Sequence, residues 1–223
     1  MKGIIFDMDG VLFDTEKLYE RFWCEAAKNL GYHMTVEDVA AVRSTDAKKA
    51  CEILKKRLGE DFDYDAVKKH RIELMHNFTT SYGVELKPYV REFLDFINDE
   101  GYKIALATTS NMERATNYLK MGDIYHFFDY LLSGDRVTKG KPDPEIYEKA
   151  AKGLGLNPKE CYAVEDSYNG VRSAYNAGCR VIMIPDRDIP DEEMNMKTWK
   201  IVPDFNKLIK IIISGLQIEE EKI

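Results

Sequence analysis

A rhythm in the second half of the chain limits its fold more than any single motif. From Pro88 onward, short apolar runs alternate with segments of helical spacing. Val90, Phe93, Leu94 and Ile97 fall on one helical face, entered at Pro88 and left at Gly101. Lys103–Ala107 then reads as a strand, Met112–Met121 as a helix, Phe128–Leu132 as a strand and Pro144–Leu154 as a helix. Tyr162–Val164 is a strand, Asn169–Ala177 a helix closed by Gly178, Arg180–Ile184 a strand and Phe205–Ile213 a last helix. Strands separated by helices run parallel with right-handed crossovers, so the expected fold is α/β with a doubly wound parallel sheet. The apolar run Gly3–Phe6 stands alone at the start. A lone strand has no hydrogen-bond partner, so it must belong to the same sheet.

Between Thr15 and Gly83 no strand pattern appears. Leu18, Phe22, Ala26 and Leu30 form one apolar face, ended by Gly31. Ala47, Ala50, Cys51, Leu54 and Leu58 form a second, closed by Gly59, and Val67, Leu74, Met75 and Phe78 a third. Residues 15–83 are therefore expected to be an inserted, all-helical subdomain in a core made of residues 1–14 and 84–223. With 223 residues, 44% of them hydrophobic, the chain is long enough to bury a core in this way. Gln217–Ile223 reads as an acidic, frayed tail.

Thirty-two Lys and Arg against 39 Asp and Glu leave a net charge of −7, which argues against a nucleic-acid or anionic-membrane partner. An anionic ligand must then be held by local cations or by a metal. No apolar stretch approaches a membrane span, and Lys2-Gly3-Ile4-Ile5-Phe6 lacks a signal-peptide layout. Cys24, Cys51, Cys161 and Cys179 are scattered without metal spacing, as expected of small core residues in a reducing cytoplasm. A monomer is the expected state. Trp23, Trp199, His33, His76 and His126 read as filler.

In an open parallel sheet, ligands bind beyond the carboxyl ends of the strands. The residues just past those ends form a complementary set: Asp7 and Asp9; Thr108, Thr109, Ser110 and Asn111; Lys139 and Lys141; Glu165, Asp166 and Ser167. Each piece alone has an ordinary reading as a turn, a helix cap or a solvated loop. Their joint placement points to phosphoryl transfer. A carboxylate held at the end of a rigid strand, Asp7, can attack phosphorus and split one displacement into two. Crowded acids repel one another unless a cation joins them, and Mg²⁺ suits a set of hard oxygens. Asp7, the backbone carbonyl of Asp9 and Asp166 are the expected ligands, with Glu165 one layer behind. The Thr108 hydroxyl and nearby N–H groups at a helix start can hold phosphoryl oxygens, together with Thr109, Ser110 and Asn111. Lys141 compensates charge there. Asp9 can protonate the leaving oxygen and later deprotonate the attacking water.

Four segments resemble the motifs of the haloacid-dehalogenase-like superfamily, in order. They are Phe6-Asp7-Met8-Asp9-Gly10-Val11-Leu12-Phe13-Asp14-Thr15, Leu106-Ala107-Thr108-Thr109-Ser110-Asn111, Lys139-Gly140-Lys141-Pro142-Asp143-Pro144 and Val164-Glu165-Asp166-Ser167-Tyr168-Asn169-Gly170. The resemblance covers residues 1 to about 185, and its nearest branch is that of β-phosphoglucomutases and sugar-phosphate phosphatases. It implies a Rossmann-like core, a helical cap, the roles given above and a small phosphate ester as substrate. Dehalogenases of the superfamily lack the second aspartate present here as Asp9, and its transporting ATPases need membrane helices.

The resemblance also implies that the cap selects the leaving group. Arg43-Ser44-Thr45 is similar to a substrate-contacting loop of the mutase branch, and the Arg43 fork suits an anionic or hydroxylated group. Lys69, His70 and Arg71 form a basic spot, expected to be a solvated face, with His70 a further candidate contact. Tyr19 stands where the mutases carry a histidine that suppresses hydrolysis. Hydrolysis of sugar phosphates is accordingly the favoured reading. A β-phosphoglucomutase and a non-catalytic binder of a phosphorylated metabolite are the alternatives.

Overall fold

The structure is a computed structural model and describes residues 1–43, 45 and 47–220. In chain order the main elements begin with β1 (Gly3–Phe6), α1 (Glu16–Asn29), α2 (Val36–Val42), α3 (Ala47–Leu58), α4 (Tyr64–Tyr82) and α5 (Val90–Asp99). Then come β2 (Lys103–Thr108), α6 (Met112–Met121), β3 (Tyr130–Ser133), α7 (Glu145–Gly153), β4 (Cys161–Glu165) and α8 (Tyr168–Ala177). The chain finishes with β5 (Arg180–Met183), α9 (Glu192–Lys197), β6 (Lys200–Ile201) and α10 (Phe205–Glu220).

The six strands form one parallel sheet in the order β3-β2-β1-β4-β5-β6. The isolated N-terminal strand is thus central, flanked by β2 on one side and β4 on the other. Strand order reverses between β1 and β4, where a doubly wound sheet opens a crevice at its carboxyl edge. All four β1 residues are buried, as a strand covered on both faces requires. Phe6 is fully buried, with Phe93 and Phe205 at ring-centroid distances of 6.0 and 6.2 Å. Ile5, Ala105, Leu132, Tyr147, Ala163 and Val181 pack into one core cluster.

The chain divides into two compact units, Met1–Phe13 with Glu85–Ile223, and Asp14–Val84. The second contains α1 to α4 and no strand among its described residues. Its core gathers Trp23, Ala26, Ala27, Leu54, Phe62 and Val67.

Several elements differ from the sequence reading. The last helix runs on to Glu220 rather than ending at Ile213, so the expected frayed tail is helical through that residue, and 221–223 lie outside the described residues. The helix α2 passed unread although Thr35 and Asp38 form a capping box, each side chain bonding the other's backbone N–H. Helix α9 and the two-residue β6 are too short for periodicity to register.

Candidate active site

The ladder between β1 and β4 continues one bond past Phe6, because the Asp7 N–H donates to the Val164 carbonyl at 3.0 Å. This fixes the Asp7 backbone next to the end of β4, where Glu165 is the last strand residue and Asp166 follows. Carboxylate oxygens of Asp7, Glu165 and Asp166 lie within 4.8 Å of one another. All three residues are buried.

Lys141 enters this group from the loop before α7. Its Nζ donates to Asp7 Oδ1 at 2.6 Å and to Glu165 Oε1 at 2.5 Å. The Tyr147 hydroxyl donates to the same Glu165 oxygen at 2.6 Å, while Glu165 Oε2 accepts from the Asp166 N–H and the Ser167 hydroxyl at 3.2 and 3.3 Å. Four donors therefore converge on Glu165. The loop that delivers Lys141 is held by Glu145, whose carboxylate accepts from the Thr138 N–H and hydroxyl and from the Lys139 N–H.

Two glycines make room for these carboxylates. Gly10 has φ +80, and a Cβ there would lie 2.2 Å from Asp166 Oδ2. At Gly170, in the first turn of α8, a Cβ would meet the Glu165 carboxyl at 2.0 Å.

Burial pushes the Asp7 carboxyl up to about 7; Lys141 pulls against that shift, while the like charges of Glu165 and Asp9 add to it. Burial alone would lower the Lys141 ammonium, but the Asp7 and Glu165 carboxylates outweigh it and hold the group above its ordinary value. The two partners do not mirror each other because Lys141 faces two opposite charges, whereas Asp7 faces one. Burial, with Glu165 and Asp7 nearby, also raises the Tyr147 phenol. Ionised, three carboxylates against one ammonium leave a surplus of negative charge on hard oxygen donors. That donor set fits a small divalent cation.

On the other side of β1, Thr108 ends β2 fully buried, and its hydroxyl accepts the Ser110 N–H at 3.1 Å. Thr109 is exposed. Ser110 donates its hydroxyl to Asp9 Oδ2 at 3.1 Å. Asn111 is also exposed and caps α6, its side chain accepting the Arg114 N–H at 2.9 Å. Asp9 lies in the tight turn after β1, where Leu12 and Phe13 N–H groups bond back to the Met8 carbonyl.

The candidate residues of the helical unit have other occupations. Arg43 ends α2 with its Nε 3.3 Å from Glu16 and its Nη2 3.0 Å from Glu20. The Thr45 hydroxyl donates to the Val42 carbonyl at 2.7 Å, and Ser44 lies outside the described residues. His70 Nε2 is 3.1 Å from the Asn29 amide nitrogen. The basic spot at 69–71 is not one solvated face. Arg71 is buried, with its guanidinium over the rings of Tyr19 and Trp23 at 4.9 and 5.1 Å.

Two side chains near the site escaped the sequence reading. Tyr147 sits among Ile146, Ala150 and Ala151 on a helix, where an aromatic reads as core; only the fold brings Glu165 to its hydroxyl. Arg114 looks like an ordinary helix-surface cation until β1 and β2 set Asp9 beside it.

A doubly wound core with a buried carboxylate–lysine group at its reversal point defines an α/β enzyme working at the carboxyl edge of the sheet. The family model of haloacid dehalogenase-like hydrolases matches residues 4–184, and the chain belongs to that family. A phosphorylated carbohydrates phosphatase of Thermotoga maritima is 34% identical over 178 residues, covering 80% of this chain and 82% of the relative. Protein CbbY of Rhodobacter capsulatus is 32% identical over 218 residues, covering 92% and 94%. A Thermotoga maritima crystal structure assigned as a β-phosphoglucomutase superposes with a TM-score of 0.79 at 28% identity, covering 96% of this chain and 99% of that one. Among the described residues no helix is long and apolar enough to cross a membrane.

Proposed function

We propose that this enzyme is a Mg²⁺-dependent phosphatase of small phosphate monoesters, sugar phosphates above all, working through an aspartyl-phosphate on Asp7. The observation that carries this reading is the buried contact of Asp7 with Lys141, beside Glu165 and Asp166, at the sheet's reversal point. The similarity to a phosphatase of phosphorylated carbohydrates supports the same substrate class.

Lys141 holds one oxygen of the Asp7 carboxyl, which leaves the other to attack phosphorus in line. Asp9 gives a proton to the departing ester oxygen and later takes one from the water that releases phosphate. The Thr108 hydroxyl and the N–H groups at the start of α6 cradle the transferring oxygens, aided by the partial positive charge of that helix end. Asp7, Asp166 and the Asp9 carbonyl would hold Mg²⁺, and Glu165, saturated by four donors, would stand behind them. When bound, the ion neutralises the surplus negative charge that would otherwise repel a phosphate ester.

A second reading, phosphoryl transfer between positions of one sugar, rests on the likeness to the structure assigned as a β-phosphoglucomutase. Tyr19, stacked against Arg71, argues for hydrolysis instead. Turnover of glucose 6-phosphate and β-glucose 1-phosphate with Mg²⁺ tests the proposal. Phosphate release is expected, with a loss of roughly 10⁴-fold or more in Asp7→Asn. Isomerisation without phosphate release would favour the mutase. Undiminished activity in Asp7→Asn would end the proposal. Mg²⁺ should also raise the melting temperature of the wild type but not of Asp166→Asn.

A further inference from the structure

Asp9 is gripped by a closed ring of hydrogen bonds that the catalytic scheme above does not use. Arg114 donates from Nη2 to Asp9 Oδ1 at 2.7 Å and from Nη1 to Ser110 Oγ at 2.7 Å. Ser110 in turn donates to Asp9 Oδ2 at 3.1 Å. The two carboxyl oxygens are thus fixed by two different side chains, and those side chains are tied to each other.

The grip is itself braced. Arg114 lies in the first turn of α6, whose N-cap Asn111 accepts its backbone N–H. Its guanidinium rests on the ring of Tyr118, one helical turn on, at 4.8 Å. Tyr118 is buried and packs edge-on against Phe13, 5.7 Å away, at the end of the turn that carries Asp9. The arginine and the aspartate are therefore anchored to one another twice, by hydrogen bonds and through the ring stack. A guanidinium suits this task. It is planar, presents its donors in a rigid fork and keeps its charge at every working pH, so it holds the carboxyl group in one orientation.

We propose that Arg114, bridged by Ser110, is the positioning residue that sets the angle of the Asp9 carboxyl for proton transfer. The inference rests on the phosphatase reading. In the first step an Asp7 oxygen bonds phosphorus as the ester P–O bond breaks. The bonding pair goes to the leaving oxygen, which takes the proton from Asp9. In the second step a water oxygen bonds phosphorus and its proton returns to Asp9. The Asp7–phosphorus bond breaks, freeing phosphate and restoring both carboxyls. A tilt of Asp9 spoils the proton's path and leaves the phosphorus contacts in place.

The leaving group reports on this directly. Phenoxide, whose conjugate acid has a tyrosine-like pKa of about 10, needs the proton as it departs. A nitro group acidifies the phenol by orders of magnitude, so 4-nitrophenolate departs without help. Single-turnover release from phenyl phosphate and 4-nitrophenyl phosphate, with Mg²⁺ and enzyme in excess, separates the two demands. Arg114→Ala should slow phenol release by roughly 10- to 100-fold and nitrophenolate release by less than about threefold. Arg114→Lys, which restores one donor, should fall between. Arg114→Gln, which keeps the stem over Tyr118, is read the same way should the alanine variant fail to fold. Equal slowing of both esters would place Arg114 in phosphate binding or folding and overturn the proposal, as would no slowing of either. If instead wild type releases neither phenol, or Asp7→Asn releases both, the phosphatase reading itself falls and this inference with it.

Discussion

Lys141 in the sheet-bearing unit and Arg43 in the helical unit each face two carboxylates, under different physics. The Lys141 side chain is 6% exposed, and its partners Asp7 and Glu165 are 11% and 0% exposed. Arg43 and its partners Glu16 and Glu20 are each near 18–19% exposed, and the contacts are longer. Glu16 and Glu20 are one helical turn apart on α1, so Arg43 ties the end of α2 to that helix face. Asp7 and Glu165 come from neighbouring strand ends, and no local rearrangement can part them. Where strand ends impose the spacing, like charges are forced together and retain an appetite for cations. Where helix surfaces set it, the contacts are longer and more open to water. The arginine that the sequence suggested as a substrate anchor is thus engaged by acids of its own unit.

Breaking the first set should cost far more than breaking the second. Lys141→Ala leaves crowded carboxylates without their ammonium and should cost about 3–5 kcal/mol in urea unfolding. A cost near that of a surface pair would erase the contrast. A middle case is Glu145, which braces the Lys141 loop. Lys149, the Thr138 hydroxyl and the N–H groups of Thr138 and Lys139 hold its carboxyl down at about 2, against an ordinary value of 4.5. A depressed folded pKa gives stability that is complete above the ordinary value and is lost as pH falls toward the folded one. Thermal melts of Glu145→Gln should therefore lie below wild type at neutral pH and converge with it between pH 4.5 and 2. The smallest effect belongs to Arg43→Ala, about 1 kcal/mol or less. It should shrink further in high salt, which screens partly exposed pairs more than buried ones.

Legibility in the sequence followed the same division. Periodicity and strand alternation specified the doubly wound sheet, because apolar spacing along the chain decides which faces are buried. It also placed Asp7, Thr108, Lys141 and Glu165 beyond or at strand ends, since parallel strands deliver their carboxyl ends to one edge. Helices such as α2 and α9 were lost because seven and six residues scarcely complete a period. Arg71 was misread as solvated because its neighbours Lys69 and His70 are polar. Its burial depends on the rings of Tyr19 and Trp23, contributed by another helix.

The order of elements, and so the identity of the polar groups presented at the sheet edge, was written in the chain through local hydrophobic patterning. Tertiary structure alone decided which of those groups touch: that Tyr147 serves Glu165, that Arg114 grips Asp9 and that Arg43 is occupied. Apolar burial repeats along the chain with a short period and can be read from it. A hydrogen bond between residues 105 positions apart, such as Arg114 to Asp9, exists only once packing has brought two strands side by side.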